Sequence, residues 1–421
     1  MPRCLLRSFL LWLALTMTGA SLRAAEPAIE RAHAETWRRF IDGHGVMRDY
    51  VGELPTPEDC RLGRPNAIGW WSPIENGPMF TGMYLNAMVE RARRSGASSD
   101  KEQAGKLAQG LLKCASVSDV PGFVARGMGD DGKCHYPLGS DDQMQPWFLG
   151  LHAYLLSDIP SAAERAVLVA KVREVADVLE STGWRVPCDG AFKGDFRGGF
   201  KGEHFRDAAR YVYLLRATYE MTGDAVWLER YHRALEEKPP GSAETRREIC
   251  ALGCPRDLGF IPTLQKGQFW IYVGTQAGLA RLAAVETDAA TKAAYRQGLD
   301  VSARFALSSV DTHAMFDNAD QGHFGTADWR AANPTWFPQP TQKEAERLAK
   351  IVDYKKRGPR KNYESTWMRH PLAAAAVVAL AGEASARPAV LKAVRHYDYA
   401  KLNMAEFFFA EVAYYALPEA K

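Results

Sequence analysis

The stretch DDQMQPWFLGLHAYLLSDIPSAAERAVLVAKVREVADVLEST, residues 141–182, contains two helix patterns of different kinds in succession. In residues 141–157, apolar and small side chains surround most of the helix circumference, which is typical of a helix covered on nearly all sides. Residues 160–182 instead carry Lys, Arg and Glu along one face, as a solvent-facing helix does. The short link around Pro160 predicts a hairpin of one buried and one outer helix.

The same alternation continues along the chain. Apolar residues at three- and four-residue spacing predict about a dozen helices, and no segment has the valine- and isoleucine-rich alternation of a large sheet. Helices of the buried kind are predicted at 79–95, 141–157, 205–222, 267–286, 366–383 and 403–417. Helices of the outer kind are predicted at 101–118, 160–182, 224–236 and 288–309, and further helices at 28–41 and 386–395.

Six pairs of alternating helices predict an all-α fold, the (α/α)6 barrel, with long loops rich in Gly, Pro and aromatic residues at one mouth. A short strand or hairpin remains compatible with residues 45–74 or 311–338. An α-solenoid would have a similar number of helices, but no residue motif repeats at a fixed period.

The first residues have the pattern of an export signal. Arg3 and Arg7 precede an apolar run, and small residues follow up to Ala25. The run is too short to remain as a membrane anchor. We therefore expect a signal peptide over residues 1–25, a secreted or periplasmic protein, and a single barrel catalytic domain over residues 26–421.

Composition narrows the classes of partner and cofactor. A net charge of +3 on 421 residues gives no support for nucleic acid binding. No dinucleotide-binding, P-loop or zinc-protease motif is present, so we expect no cofactor and no metal. Export would leave six of the seven cysteines, enough for up to three disulfides, and the pairs Cys114–Cys134 and Cys250–Cys254 are favoured because each is close in sequence.

The residues that open the buried helices are expected to face a common cavity, and acids, aromatics, His and Arg recur there. The candidate catalytic residues are Asp141, Asp142, Glu364 and His204. The candidate substrate-binding residues are Trp70, Trp71, Glu75, Asn76, Arg126, Tyr136, Trp270, Tyr363, Trp367, Arg369 and His370.

Two of these acids are adjacent. One of Asp141 and Asp142 is expected to cap a helix together with Ser140, while repulsion between the two would raise one pKa, as a general acid requires. Glu364 is either a second catalytic carboxylate or the partner of Arg369 in a salt bridge.

The run from Ser140 to Met144, followed by Pro146 to Leu149, resembles the inner-helix motif of unsaturated glucuronyl and rhamnogalacturonyl hydrolases of the six-hairpin glycosidase-like superfamily. Glu75-Asn76-Gly77 resembles the Asp-Asn-Gly start of an early inner helix in those enzymes. The resemblance implies an aspartate at 141 or 142 that protonates the enol ether of an unsaturated uronic acid.

The leading hypothesis is thus a glycoside hydrolase that acts on uronate-containing oligosaccharides, with tryptophans stacking on the sugar rings. One alternative is a polysaccharide lyase, with Tyr363 or Tyr136 and a His in proton transfer and Arg369 neutralising the uronate. Another is a glycan-binding barrel without catalysis.

Overall fold

The computed structural model describes residues 26–259 and 268–419, so the predicted signal peptide lies outside the described residues. Within them the chain is mostly helical, which confirms the all-α prediction. The first helices are α1 (Pro27–Arg39), α2 (Pro57–Leu62), α3 (Gly77–Ser95), α4 (Ser98–Cys114), α5 (Asp141–Leu155), α6 (Ala162–Ser181), α7 (Phe205–Thr222), α8 (Ala225–Glu236) and α9 (Arg246–Leu252). They are followed by α10 (Pro255–Leu258), α11 (Val273–Val285), α12 (Ala289–Val310), α13 (Trp329–Ala332), α14 (Gln342–Lys350), α15 (Pro359–Glu364), α16 (His370–Leu380), α17 (Arg387–His396) and α18 (Phe409–Ala416).

Six of these helices contact one another in a closed cycle. In order around the cycle they are α3, α5, α7, α11, α16 and α18, and α18 returns to contact α3. Helices α1, α4, α6, α8, α12 and α17 each contact members of the cycle from outside. The segments that lead into α3, α11, α16 and α18 line the cavity described below.

The two kinds of helix differ in burial as their sequences require. Every residue of α5 from Gln143 to Leu155 is buried. In α6 the buried residues are limited to one stripe, namely Leu168, Val172, Val175, Ala176 and Leu179. Such a stripe is the usual surface of a helix that packs on one side and faces solvent on the other.

Local signals place the helix ends. The Ser140 hydroxyl accepts a hydrogen bond from the Asp142 backbone N–H at 3.3 Å, so Ser140 is the N-cap of α5. Asp288 caps α12 in the same way, and Gly223 ends α7 at φ 70°, a conformation that glycine adopts without steric cost. The Ser140 cap was predicted from the sequence.

Within residues 26–259 and 268–419, strand structure is confined to one small sheet. Strands β1 (Arg185–Pro187) and β2 (Phe196–Gly199) pair antiparallel. The hairpin considered for residues 45–74 is not formed as paired strands; that segment makes only isolated bridges, Ile41 to Met47 and Tyr50 to Met404. The second of these bridges fixes the loop before α3 next to the loop before α18.

Two further expectations concern membrane-spanning helices and disulfides. No helix in 26–259 or 268–419 combines the length and the apolarity required to cross a bilayer. The cysteines from Cys60 onward are all thiols, and neither of the two disulfides favoured from the sequence is formed.

Helices α3 and α5 approach closely because both have small residues at their contact. A Cβ atom at Gly82 would lie 1.9 Å from the Pro146 carbonyl oxygen, and one at Gly150 would lie 2.8 Å from the Gly82 Cα. Both obstacles are backbone atoms, which cannot move aside like a flexible side chain. Gly82 therefore sets the separation of two adjacent helices of the cycle.

We expect Gly82→Ala to lower the free energy of unfolding by about 1–3 kcal/mol, the usual cost of overpacking. Alanine ordinarily stabilises a helix interior by about 1 kcal/mol relative to glycine, so the sign itself is informative. Urea denaturation measures the change. Gly43→Ala is the control, because nothing lies within 4 Å of its added Cβ; equal stability of the two variants would contradict the prediction.

Candidate active site

A cavity of about 720 Å³ lies at the start of the cycle helices α3 and α16 and beside the loop before α18. Its lining includes three indoles, three carboxylates and three basic side chains, with an amide and an imidazole among its other polar groups. In that order they are Trp71, Trp270 and Trp367; Asp49, Glu75 and Glu406; Arg357, Lys361 and Arg369; and Asn76 and His370.

A π-helical turn carries part of this lining. Residues Ser365–Arg369 form the turn between α15 and α16, and its side chains Trp367 and Arg369 line the cavity. Such turns occur often at functional sites, because the extra residue changes the direction of the side chains that follow. The Arg369 guanidinium lies over the Trp270 ring, 4.8 Å from its centroid.

Trp71 is held in an unusual conformation. Its φ of 72° lies in the left-handed region, which is unfavourable for a large side chain. Its backbone N–H donates to Glu75 Oε2 at 2.8 Å, and its indole Nε1 donates to the Ala349 carbonyl at 2.6 Å. The surroundings thus hold both the backbone and the ring of Trp71 at the cavity wall.

Asp49 is a buried carboxyl at the edge of the cavity. Its two oxygens accept from the Asn76 backbone N–H at 2.8 Å and from Asn76 Nδ2 at 2.6 Å. Burial raises the pKa of Asp49 well above its ordinary value, and the neighbouring charges of Glu75 and Glu406 raise it further. Glu75 and Glu406 are therefore close enough for their charges to shift the pKa of Asp49.

Glu406 is the carboxyl with the most unusual environment. It lies in the 3-10 turn Ala405–Phe408 just before α18 and is 3% exposed. Its Oε1 is 3.4 Å from Arg369 Nη1, while its Oε2 has no hydrogen-bond partner among the described residues. Burial raises the pKa of Glu406, although Arg369 and Lys361 oppose this. A buried acid with a raised pKa and an available oxygen can donate a proton.

The basic side chains are not all neutralised. Arg357 is 2% exposed, and its Nη2 donates to the Asn333 side-chain oxygen at 2.8 Å. Its Nε and Nη1 have no partner in the described parts of the chain. The guanidinium lies 4.3 Å from the centroid of the Trp71 ring, and Lys361 Nζ lies 5.1 Å from it. Burial and Arg369 lower the pKa of Lys361.

The adjacent aspartates form a separate cluster next to the cavity. Arg210 Nη1 is 3.2 Å from Asp141 Oδ2 and 2.8 Å from Asp142 Oδ1. Burial and the charge of Asp142 raise the pKa of Asp141 to about 6. Burial would also raise the pKa of Asp142, but Arg210 and Arg206 outweigh it and lower that pKa. The expected repulsion is present, although these side chains are not among those that line the cavity.

Arg126 and Gln143 connect this cluster to the cavity. Burial and Arg197 lower the pKa of Arg126 to about 10, while Glu75 and Asp142 attract its charge from either side. Gln143 Nε2 donates to the Asn76 side-chain oxygen at 3.2 Å. Arg126 itself is 3% exposed and does not line the cavity.

Glu364 has a structural position. It is fully buried and accepts from Arg360 Nε at 2.8 Å, from the Asn403 backbone N–H at 2.9 Å and from the Met404 backbone N–H at 2.9 Å. It therefore joins α15 to the loop that leads to Glu406. Glu364 does not line the cavity. It also does not form the salt bridge with Arg369 that the sequence suggested, because Arg369 pairs with Glu406.

We expect Glu364→Ala to reduce the free energy of unfolding by about 3–5 kcal/mol, because it removes one of the two carboxylates that pair with the buried Arg360 guanidinium and leaves the backbone N–H groups of Asn403 and Met404 without their acceptor. Chemical denaturation followed by circular dichroism measures the loss. The exposed Glu383→Ala is the matched control and should change stability by less than about 0.5 kcal/mol. A loss for Glu364→Ala as small as that of the control would be inconsistent with this role.

The remaining predicted residues lie outside the cavity. His204 has a side chain that is 61% exposed and lies 3.6 Å from Asp257. The Tyr363 hydroxyl accepts from the Asp317 backbone N–H, and the buried Tyr136 hydroxyl donates to the Arg64 carbonyl. Trp70 packs on a small separate core beneath Arg197. The expected convergence of Asp142, Glu364 and His204 on one cavity is therefore wrong.

Sequence reasoning missed Asp49, Glu406, Arg357 and Lys361. Glu406 lies inside the helix predicted over 403–417 and not at its start, because a 3-10 turn precedes α18. Asp49 lies in a loop without helical periodicity. Arg357 and Lys361 come before Tyr363, the first candidate residue ahead of the predicted helix 366–383. The bridge of Tyr50 with Met404, which brings Asp49 towards Glu406, has no local signal in the sequence.

Comparisons with protein-family models, curated proteins and solved structures find no match to this chain. The chemistry of the cavity must therefore be argued from its own residues, since a fold by itself does not determine function. The cavity offers carboxylates, basic side chains and indoles for this chemistry.

Proposed function

We propose that this chain is an exported (α/α)6-barrel enzyme of the six-hairpin glycosidase-like kind that hydrolyses uronate-containing oligosaccharides. The closed cycle of α3, α5, α7, α11, α16 and α18, with further helices outside it, supports the barrel. The observation that carries the function is the convergence of carboxylates, basic side chains and indoles in one cavity of about 720 Å³. That volume is in the usual range for a small-molecule site.

Glu406 is the proposed general acid. Glycosidic bond hydrolysis needs one carboxyl that protonates the leaving oxygen and a second that activates water or attacks the sugar. The raised pKa of Glu406 keeps it protonated over a wider pH range, and its buried Oε2 has no hydrogen-bond partner among the described residues. When the leaving oxygen takes this proton, Arg369 stabilises the carboxylate that remains.

Glu75 is the proposed second carboxylate. It lines the same cavity, and its Oε2 accepts a hydrogen bond from the Trp71 backbone N–H, which holds the carboxylate at the cavity wall. Asp49 is less suited to act as a base, because its strongly raised pKa favours the protonated form. Its bonds with Asn76 make it a support for the residues that carry Glu75.

The proposed ligand for Arg357 is a sugar carboxylate. A buried guanidinium without a carboxylate partner is costly unless an anion or water satisfies it. Arg357 lines the cavity and has two nitrogens without a partner in the described parts of the chain, and a uronate carboxylate fits the fork of a guanidinium. Trp71, Trp270 and Trp367 offer faces for stacking against sugar rings.

The Asp141–Asp142 pair is the competing acid, as the sequence motif predicted. Arg210 engages both carboxylates, and Arg206 lies 3.7 Å from Asp142. These ion pairs favour a positioning role over proton donation. Glu406 is therefore the preferred proton donor. The Asp142→Asn variant is compared with Glu406→Gln in the Discussion.

The function can be tested with a panel of acidic polysaccharides and the oligosaccharides that lyases release from them. Reducing ends and ultraviolet absorbance are followed together. We expect new reducing ends without a gain in absorbance, and a loss of absorbance with unsaturated uronides. A gain in absorbance would identify a lyase, and binding without turnover on every substrate would leave the glycan-binding barrel.

A further inference from the structure

Two cysteines that are distant in sequence meet outside the proposed active site. Cys60 lies in α2, and Cys134 lies in the loop after Gly129. The Cys134 thiol donates to the Pro55 carbonyl at 3.6 Å, and the same carbonyl accepts from the Asp130 backbone N–H at 3.1 Å. The loop is therefore fastened to the residues that lead into α2.

The two thiols interact directly. A hydrogen bond with Cys134, together with burial, raises the pKa of Cys60. The other cysteines in the described chain have different surroundings: burial raises the pKa of Cys250 and of Cys254 to about 12, and no cysteine is among the causes. Among the described cysteines, only Cys60 and Cys134 line one common cavity.

The pair is also accessible. Cys60 and Cys134 both line a second cavity of about 900 Å³, and Cys134 is partly exposed. Its Sγ occupies space that is free only because residue 129 is glycine, since a Cβ there would lie 2.2 Å from the sulfur. An oxidant can therefore reach the partly exposed Cys134 before it reaches the buried Cys60.

We propose that Cys60 and Cys134 form a disulfide when the protein meets an oxidising thiol–disulfide couple. Cys134 as thiolate attacks a disulfide such as glutathione disulfide, giving a mixed disulfide and one released thiol. Cys60 then attacks the Cys134 sulfur and releases the second thiol. The protein loses two hydrogens and the oxidant gains them, so the exchange balances.

The bridge would join α2 to the loop that precedes Tyr136. The Tyr136 hydroxyl already donates to the Arg64 carbonyl just after α2, and its ring fills the space next to Gly69. A disulfide here would reinforce the segment that continues to Trp71 at the proposed active site. The pairing does not depend on the reaction proposed for that site.

The test uses the full chain, reduced, purified and then incubated with glutathione disulfide. After denaturation and alkylation, we expect two protected cysteines, and non-reduced peptide mapping should show a Cys60–Cys134 peptide. A reductant should lower the Tm of the oxidised protein by about 5 °C, given the long loop that the bridge closes. Cys60→Ser should remove both effects, whereas Cys188→Ser should retain them.

Three outcomes would overturn the proposal: alkylation of every cysteine after oxidation, a bridge between a different pair, or stoichiometric metal with both thiols reduced. The last is a real competitor, because donor atoms of Asp130, Asp131 and Cys134 all lie within 4.8 Å of one another. Elemental analysis of the purified protein, before and after treatment with a chelator, distinguishes it. None of these outcomes bears on hydrolysis in the first cavity.

Discussion

Glu406→Gln is expected to lower kcat about a thousandfold on a uronate oligosaccharide, with little change in KM. Glutamine keeps the shape and the contact with Arg369 but cannot supply the proton to the leaving oxygen. Initial rates of reducing-end release measure the effect. Asp142→Asn is the comparison: it should lower kcat less than Glu406→Gln, and the reverse order would return the acid role to the aspartate pair.

The pH profile gives an independent check of the same residue. Burial raises the pKa of Glu406, and a general acid must be protonated, so the rate should fall as pH rises through that raised pKa. The alkaline limb of kcat/KM should therefore lie above the ordinary titration range of a glutamate. In Glu406→Gln the residual rate should lack this limb.

Arg357→Met is expected to reduce kcat/KM for a uronate substrate by about 10- to 100-fold, because a charge-assisted hydrogen bond contributes about 1.5–3 kcal/mol. Methionine retains some of the packing against Trp71 but removes the charge. The same change should have little effect on a substrate whose carboxyl is methyl-esterified. Kinetics on the paired acid and ester substrates measure the difference.

Arg347→Met is the matched control, since Arg347 is exposed and lies over Phe337, 4.7 Å from its centroid, outside the cavity. It should leave both substrates unaffected. If Arg357→Met slows the acid and the ester equally, Arg357 supports the cavity wall and does not read the carboxylate.

Much of the helical framework could be predicted from local patterns. The contrast between α5, buried from Gln143 to Leu155, and α6, with one buried stripe, follows from side-chain periodicity alone. Trp71, Trp270 and Trp367 were also predicted at the cavity, because helix-opening segments with aromatic residues drew attention. Such features depend on neighbours in sequence.

Which carboxylates face the cavity could not be predicted. Glu364 and Glu406 both lie close to the start of a buried helix, yet Glu364 is enclosed by Arg360 and by two backbone N–H groups of the loop after Leu402. That loop reaches Glu364 through tertiary packing, which no local pattern in the sequence predicts. For the same reason the sequence could not predict that Cys134 lines one cavity with Cys60 and not with Cys114.

The most direct test of the central claim is the position of a uronate disaccharide bound to the Glu406→Gln protein, determined by crystallography. The account predicts the sugar in the cavity of about 720 Å³, with its carboxylate on Arg357 and a ring against Trp71. Its scissile oxygen should lie within hydrogen-bond distance of residue 406. A disaccharide bound instead at Asp141, Asp142 and Arg206, away from residue 406, would contradict it.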